Sequence, residues 1–463
     1  MMSPQPPQLP TAVPPPNDAS NGAAIAGFIS SINTAAIPEH VFDAARMCFA
    51  DWLAVAIGAR QEEPARVVHQ AMQAWCTDGA ATLLLGGRAT PAVAALANGT
   101  LAHCLDFDDT HVKSVTHTSA PVWAATLALG EACGGNEQQM LRAFIAGFET
   151  AARTGLGFGE AATARGWHGT GVFGRLGATA AASALLRLSA DQTLHALGTG
   201  ATQTSGLTAS FGTMAKPFHA GKAAMDGILA AQLAAAGFHA ATGLLEPGGG
   251  LQTAIVQDRS VAFQPVALDR WQILENSFKP YAACHLTHPA VDAARGLIAV
   301  IRPQDIAAIT AHVFPLAEQI TGRREGMPQT GLAGKFDIRY CIAAALHGQT
   351  LSARDFADPW QPDPALGKLA AAITITPDAR QSFASARLVA RLTDGREHTV
   401  DVPVAKGHPG NPLSWADMAE KFDGLVTPAL GKNTASLLAA VRRFGEPGTL
   451  SAVRRYLTAG GLG

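Results

Sequence analysis

Histidines, an aspartate and several lysines gather in four short stretches of an otherwise apolar sequence, and together they suit the movement of a proton at carbon. The densest is AHCLDFDDTHVKSVTHTSAPV, residues 102–122. If His103 to Thr110 is helical, Asp106 and Thr110 share a face and His103 lies one turn before Asp106. His117 then comes from the following loop. An Asp–Thr pair beside a histidine can orient an imidazole or hold a substrate's carboxylate and hydroxyl. Asp108, Asp109 and His111 are expected to cap the helix end and face water.

In the second stretch, ARGWHGTGVFGRLGATAAAS, His168 occupies a Gly-flanked turn before a helix of small residues. A helix N-terminus reached by such a loop offers N–H groups and a positive dipole end to an anion. In the third, SFGTMAKPFHAGKAAMDG, Lys216 precedes Pro217, which predicts an extended residue just before a helix. Its ammonium could enter a cleft and pair with a carboxylate. Lys222 is expected to be a solvated helix residue, and His219 is ambiguous. The fourth, SFKPYAACHLTHPAVDAA, brings Lys279, His285 and His288 to a domain boundary, where a cleft is expected. Further on, KFDIRY places Lys335, Arg339 and Tyr340 near the start of a helix.

This inventory contains no phosphate-binding glycine loop and no other cofactor motif. Proton abstraction beside a carboxylate needs a base, together with cations or donors that stabilise the enediolate-like charge. Loss of a hydroxyl or of CO₂ would need a second acid/base group or a desolvating pocket. The residues do not select between these outcomes.

Helices must position most of these groups. From about 21 to 278 the apolar residues recur at three- and four-residue spacing, with Pro38 at the start of EHVFDAARMCFADWLAVAIGA. Further helices are predicted over 92–108, 120–133, 137–154, 174–188, 190–201 and 222–236, with no competing strand pattern. After Lys279 the texture changes. A helix over 289–300 leads into IAAITAHVFPLA, whose alternation predicts a strand. ITITP follows, and ASARLVARLTDGREHTVDVPV has two alternating runs around Asp394–Gly395, a hairpin signal. The fold expected is mainly α: a large all-helical domain built from both chain ends, plus an inserted smaller α+β domain. Its parts are a disordered Pro-rich tail (1–20), helices over 21–278, the α+β insert (279–410) and a helical return (411–463).

Composition narrows the function classes. The chain of 463 residues is 48% hydrophobic, 15% charged and 6% aromatic, as suits closely packed helices. A formal net charge of −2 points to neither nucleic acid nor an anionic membrane surface. Six scattered cysteines without a CxxC pair imply a reduced compartment. MMSPQPPQLPTAVPPP lacks the basic start and apolar stretch of a signal peptide, and no run reaches the roughly 18 apolar residues of a membrane span. The expectation is a cytoplasmic protein.

DFDDTH with a following TH, GWHGTGVFG, KPFHAGKAA, KPYAACHLTHPAVDAA, KFDIRYCIAAAL and GHPGNPLS, in that order, resemble the MmgE/PrpD family over about 37–422. Its members include 2-methylcitrate dehydratases, cis-aconitate decarboxylases and iminodisuccinate epimerases. The resemblance implies a homodimer, an α+β lid, and neither metal nor organic cofactor. It also implies a site using Asp106, Thr110, His117, His168, Lys216, His288 and Tyr340. His117 or His168 would be the acid/base group, Lys216 a carboxylate partner and Tyr340 a contribution from the lid. His285 stands where many relatives have Arg, which would alter how a distal carboxylate is held.

The activity implied is a cofactor-independent lyase, of dehydratase or decarboxylase type, acting on a small di- or tricarboxylic acid. The alternatives are an epimerase and a catalytically silent polycarboxylate binder. DFDDT on a helix is also shared with Asp-rich Mg²⁺ sites of prenyl-diphosphate enzymes. Those need a second metal motif and basic residues for diphosphate, and neither is present.

Overall fold

The computed structural model describes residues 20–458 except 77–78, 247–249, 259, 262–267, 324–325 and 358–359. The Pro-rich tail expected over 1–20 therefore lies, but for Ser20, outside the described residues.

The first helix starts where a side-chain cap satisfies a free N–H group. Ser20 caps α1 (Asn21–Ser31) by accepting from Ala23 N–H. Then come α2 (Glu39–Gly58), α3 (Glu63–Met72) and α4 (Pro91–His103). Between α3 and α4 a short antiparallel pair forms, β1 (Ala81–Thr82) with β2 (Arg88–Ala89), so this region is not purely helical as expected. α5 (Ser119–Ala132) precedes α6 (Glu137–Ala164), which opens on an Asn136/Gln139 capping box. α7 (Gly169–Leu185), α8 (Ala190–Thr202), α9 (Ala215–Ala235) and short α10 (Leu251–Val256) complete the series.

Small residues let these helices approach closely. Every residue of α7 is buried, between α6 and α9. A Cβ on Gly177 would come 2.7 Å from the Gly147 carbonyl oxygen of α6. Where α4 crosses α9, a Cβ on Gly221 would come 2.1 Å from the Leu96 carbonyl oxygen. Only glycine fits there.

After Lys279 the chain builds α11 (His288–Ile298), β3 (Ile306–Val313), α12 (Pro315–Thr321), α13 (Gly331–Lys335), α14 (Ile338–Leu346) and α15 (Pro364–Ala371). β4 (Ile373–Pro377), β5 (Ala386–Leu392) and β6 (Glu397–Val402) follow. The sheet order is β4-β3-β5-β6, with β3 parallel to β4 and antiparallel to β5. β5 and β6 form the hairpin that Asp394–Gly395 announced. α11 packs on β5 and β6, and α14 packs on α11.

The chain ends with α16 (Trp415–Leu430), α17 (Thr434–Arg442) and α18 (Thr449–Thr458). α16 and α17 pack on α2. Among the described residues no helix is long and apolar enough to cross a membrane.

Two local expectations are overturned. α4 stops at His103 rather than near Asp108, because Asp106 takes a left-handed backbone (φ 51°) that ends any helix. Asp106 and Thr110 therefore do not share a helical face. Lys216 lies inside the first turn of α9 rather than before it, since Pro217 falls where a helix needs no N–H.

Candidate active site

The loop from Cys104 to His117 is the centre of the site, and lysines from three distant segments fix its shape. The consecutive carbonyls of Leu105, Asp106 and Phe107 each accept a hydrogen bond from a different ammonium. Lys335 Nζ reaches Leu105 O at 3.1 Å, Lys279 Nζ reaches Asp106 O at 2.6 Å and Lys421 Nζ reaches Phe107 O at 2.7 Å. The left-handed turn at Asp106 breaks the helical alignment of these oxygens, which leaves them free for partners outside the helix. Lys421 also lies over the Phe107 ring at 4.0 Å and pairs with Asp51 of α2.

The Asp106 carboxylate faces cations. Its Oδ1 accepts from Lys216 Nζ at 2.7 Å and Lys279 Nζ at 3.3 Å, with His117 Nε2 at 3.6 Å. Burial alone would raise its pKa, but the Lys216 and Lys279 ammonium groups outweigh that and hold it well below the usual range. Burial pulls the Lys335 pKa down, opposed by Asp106.

Asp108 joins two imidazoles. Its Oδ2 lies 2.8 Å from His103 Nδ1 and 3.3 Å from His117 Nδ1. Burial raises its pKa, yet the His103 and His117 groups hold it well below the ordinary value. His103 is buried, which lowers its pKa to about 4, so it is neutral and donates Nδ1–H to Asp108. Its buried Nε2 has no hydrogen-bond partner among the described residues. His117 lies between both carboxylates, with Thr110 Oγ1 3.4 Å from its Nδ1 and Thr170 Oγ accepting its backbone N–H.

Asp108, Asp109 and His111 were expected to face water; all three are fully buried, Asp108 between His103 and His117, His111 against Ser114, and Asp109 among groups from other segments. Asp109 accepts from Ser119 Oγ and Asn276 Nδ2, and its N–H donates to Asp51. Burial, then the Asp51 carboxylate, push its pKa up to about 7. His111 bonds Ser114 Oγ.

His168 is the N-cap of α7 and is 4% exposed. Its ring stacks on His103 (5.7 Å, 16°) and meets the edge of Phe211 (4.9 Å), whose ring also contacts the Lys216 ammonium. Burial, then His103 and Lys216, hold its pKa well below the ordinary histidine value. Thus the His103 ring contacts both His117 and His168.

The remaining expected residues sit differently. His285 and His288 have ring centroids 4.8 Å apart, and each has an Nδ1 without a hydrogen-bond partner among the described residues. His288 places Nε2 on Ala283 O and its ring on Tyr281, and makes no direct contact with the Asp106 carboxylate among the described residues. Burial lowers its pKa to about 3 and that of His285 well below the ordinary value. Tyr340 is buried against Phe356 and Trp360 and lines a cavity of about 300 Å³ with Met327, Arg339 and Ala370. No residue of the Asp106 cluster lines that cavity. Lys222 pairs with Asp226 on its own helix and is partly exposed, much as expected.

Sequence reasoning took Asp108 for a solvated cap, and it missed Lys421 and Asp51. His103 was noticed only for its spacing. His103, Asp108 and His117 could also grip a cation, their ligand atoms lying within 4.8 Å of one another. Hydrogen bonding already accounts for that spacing. The ammonium groups converging on Asp106 favour an anionic guest.

The MmgE/PrpD N-terminal domain matches residues 23–264 and the MmgE/PrpD C-terminal domain residues 281–444. The chain is 27% identical over 365 residues to a cis-aconitate decarboxylase of Aspergillus terreus, covering 73% of this chain and 74% of that one. It is 26% identical over 441 residues to a cis-aconitate decarboxylase-like protein of Aspergillus oryzae, covering 88% and 91%. Against human cis-aconitate decarboxylase it is 28% identical over 369 residues, covering 76% of each.

Proposed function

This chain belongs to the MmgE/PrpD family, and from that premise we propose a lyase that acts on a small di- or tricarboxylate, of decarboxylase or dehydratase type, without a cofactor. Family membership and decarboxylase relatives support a lyase at that coarser level. The observation that carries the finer reading is the Asp106 carboxylate held between the Lys216 and Lys279 ammoniums, with His117 beside it and His168 against Lys216 through Phe211.

Both reactions develop negative charge on a carbon conjugated with a carboxylate. In decarboxylation the bond to the departing carboxylate breaks, CO₂ leaves, and the electron pair spreads onto the conjugated carboxylate until carbon takes a proton. In dehydration an imidazole removes the proton beside a carboxylate, and the hydroxyl leaves with a proton from a second group. Lys216 and Lys279 would stabilise the enediolate-like charge. His117, between two carboxylates, suits a proton donor. His168, desolvated and beside an ammonium, suits an acceptor.

Two further parts belong to this proposal. One is a lid formed by the 279–410 segment, supported by Lys335 reaching back to Leu105. The other is a homodimer, for which Leu207, Phe211, Met214 and Phe218 offer exposed apolar surface before and within the start of α9.

The test is proton NMR in D₂O with 2-methylcitrate, citrate, cis-aconitate and iminodisuccinate, comparing wild type with H168A and K216A. A new product, carrying deuterium at carbon where CO₂ is lost and none where water is lost, and absent with both variants, is the expected result. Exchange without a new product would turn the reading towards an epimerase. Binding of one of these acids with neither exchange nor product would turn it towards a silent binder.

A further inference from the structure

His219 is absent from the chemistry described so far, yet its Nδ1 lies 3.0 Å from His168 Nδ1. Two imidazole nitrogens at that distance share a single proton. Two lone pairs would repel and two N–H groups would collide, so the tautomer of one ring fixes that of the other.

The surroundings hold this geometry. His168 donates its backbone N–H to Gly206 O, and its carbonyl accepts from Gly171 and Val172 N–H. Its ring is enclosed by His103, Phe211 and His219. His219 follows Lys216 by three residues on α9, so both present themselves on one face. Gly206, at φ 113°, makes room: a Cβ there would lie 3.3 Å from His219 Cγ and Nδ1. His219 is only half-buried, so water can serve its outer nitrogen in either tautomer.

We propose that His219 is a positioning residue that holds His168 in the Nδ1–H tautomer, leaving His168 Nε2 as the proton acceptor of the site. Phe211 contacts both the His168 ring and the Lys216 ammonium, so the site's cation lies one ring away from His168. Burial, then Arg175 and Lys216, lower the pKa of His219 itself, so it stays neutral and can accept. This rests on the reading that His168 moves the proton, and it makes His168 the base and His117 the acid.

Long-range ¹H–¹⁵N spectra of histidine-labelled protein, with His168 assigned by its loss in H168Q, read the tautomer without any substrate. The expected result is a protonated Nδ1 and a bare Nε2 on His168 in wild type, with mixed or reversed tautomers in H219L. In turnover, H219L should lower kcat about 10–100-fold with KM nearly unchanged, and H219N, whose amide oxygen can accept the same proton, should recover most of that loss. A protonated Nε2 on His168 in wild type, or an H219L enzyme with wild-type kcat, would overturn the proposal. If the tautomer is as stated but no polycarboxylate is turned over, the positioning role stands and the lyase reading fails. Should H219L not fold, the wild-type spectrum and H219N still decide.

Discussion

Lys216 Nζ lies 2.7 Å from Asp106 Oδ1 although 110 residues separate the two in the chain. The crossing of α4 and α9 brings them together. Asp106 follows the end of α4 by three residues, and Lys216 is the second residue of α9. The helices meet at Gly99 and Gly221, where a Cβ on Gly99 would lie 2.9 Å from Gly221 Cα.

G221A should therefore act at a distance. The added methyl meets Leu96 O and Thr100 Oγ1 at 2.1 and 2.3 Å, so the helices must part. A loss of about 1–3 kcal/mol is expected from overpacking. Activity should also fall, because Lys216 moves away from Asp106. Urea denaturation and steady-state kinetics check both, and unchanged values would show that the crossing has slack.

D106N should keep the backbone, since asparagine also tolerates the left-handed region. It leaves the Lys216 and Lys279 ammoniums without their anion. Truncating one partner of a buried charge pair costs about 2–5 kcal/mol. A fall in kcat/KM of roughly 10²–10³-fold is expected, with an unaltered circular dichroism spectrum. Wild-type kcat/KM would remove Asp106 from the site.

K421M tests the anchor beneath the loop. Asp51 would remain buried without its cation, which costs about 3–5 kcal/mol. The double variant K421M/D51L should regain most of the stability but not the activity, because Phe107 O still lacks its donor. A double-mutant cycle in urea shows the coupling. Additive losses would deny it.

Buried neutral histidines predict acid lability. His103 and His111 are lowered by burial to about 4 and His288 to about 3, whereas an unfolded histidine titrates near ~6.5. Between those values the unfolded chain binds more protons than the folded one. The contribution of these histidines to stability is therefore full above about pH 6.5 and is lost as pH falls towards 4, outweighing Asp109, whose raised pKa acts the other way. Tm measured from pH 7.5 to 4.5 should drop steadily, with proton uptake on unfolding. A flat profile would mean that these rings are not held neutral.

Much of the site was legible because side-chain chemistry is local. Asp106, Thr110, His117, His168, Lys216 and Lys279 stood out as polar groups in apolar surroundings. The structure gathers Asp106, His117, Lys216 and Lys279 around one carboxylate, with Thr110 on His117 and His168 one ring away. Asp108 and Asp109 were misjudged as solvated, because nothing in DFDDT shows that His103, Ser119 and Asn276 will surround them. Tyr340 and His288 lie away from the Asp106 carboxylate, because side-chain direction depends on how α11 and α14 pack.

The sequence by itself determined the helical texture, the hairpin at Asp394–Gly395 and the kind of chemistry available, since periodicity and residue type are properties of short segments. Tertiary structure alone decided that α4 ends at His103, that three lysines spread across the chain take three successive carbonyls, and that His219 faces His168. Those outcomes depend on a single left-handed residue and on hydrogen bonds spanning up to 314 residues, which no local pattern encodes.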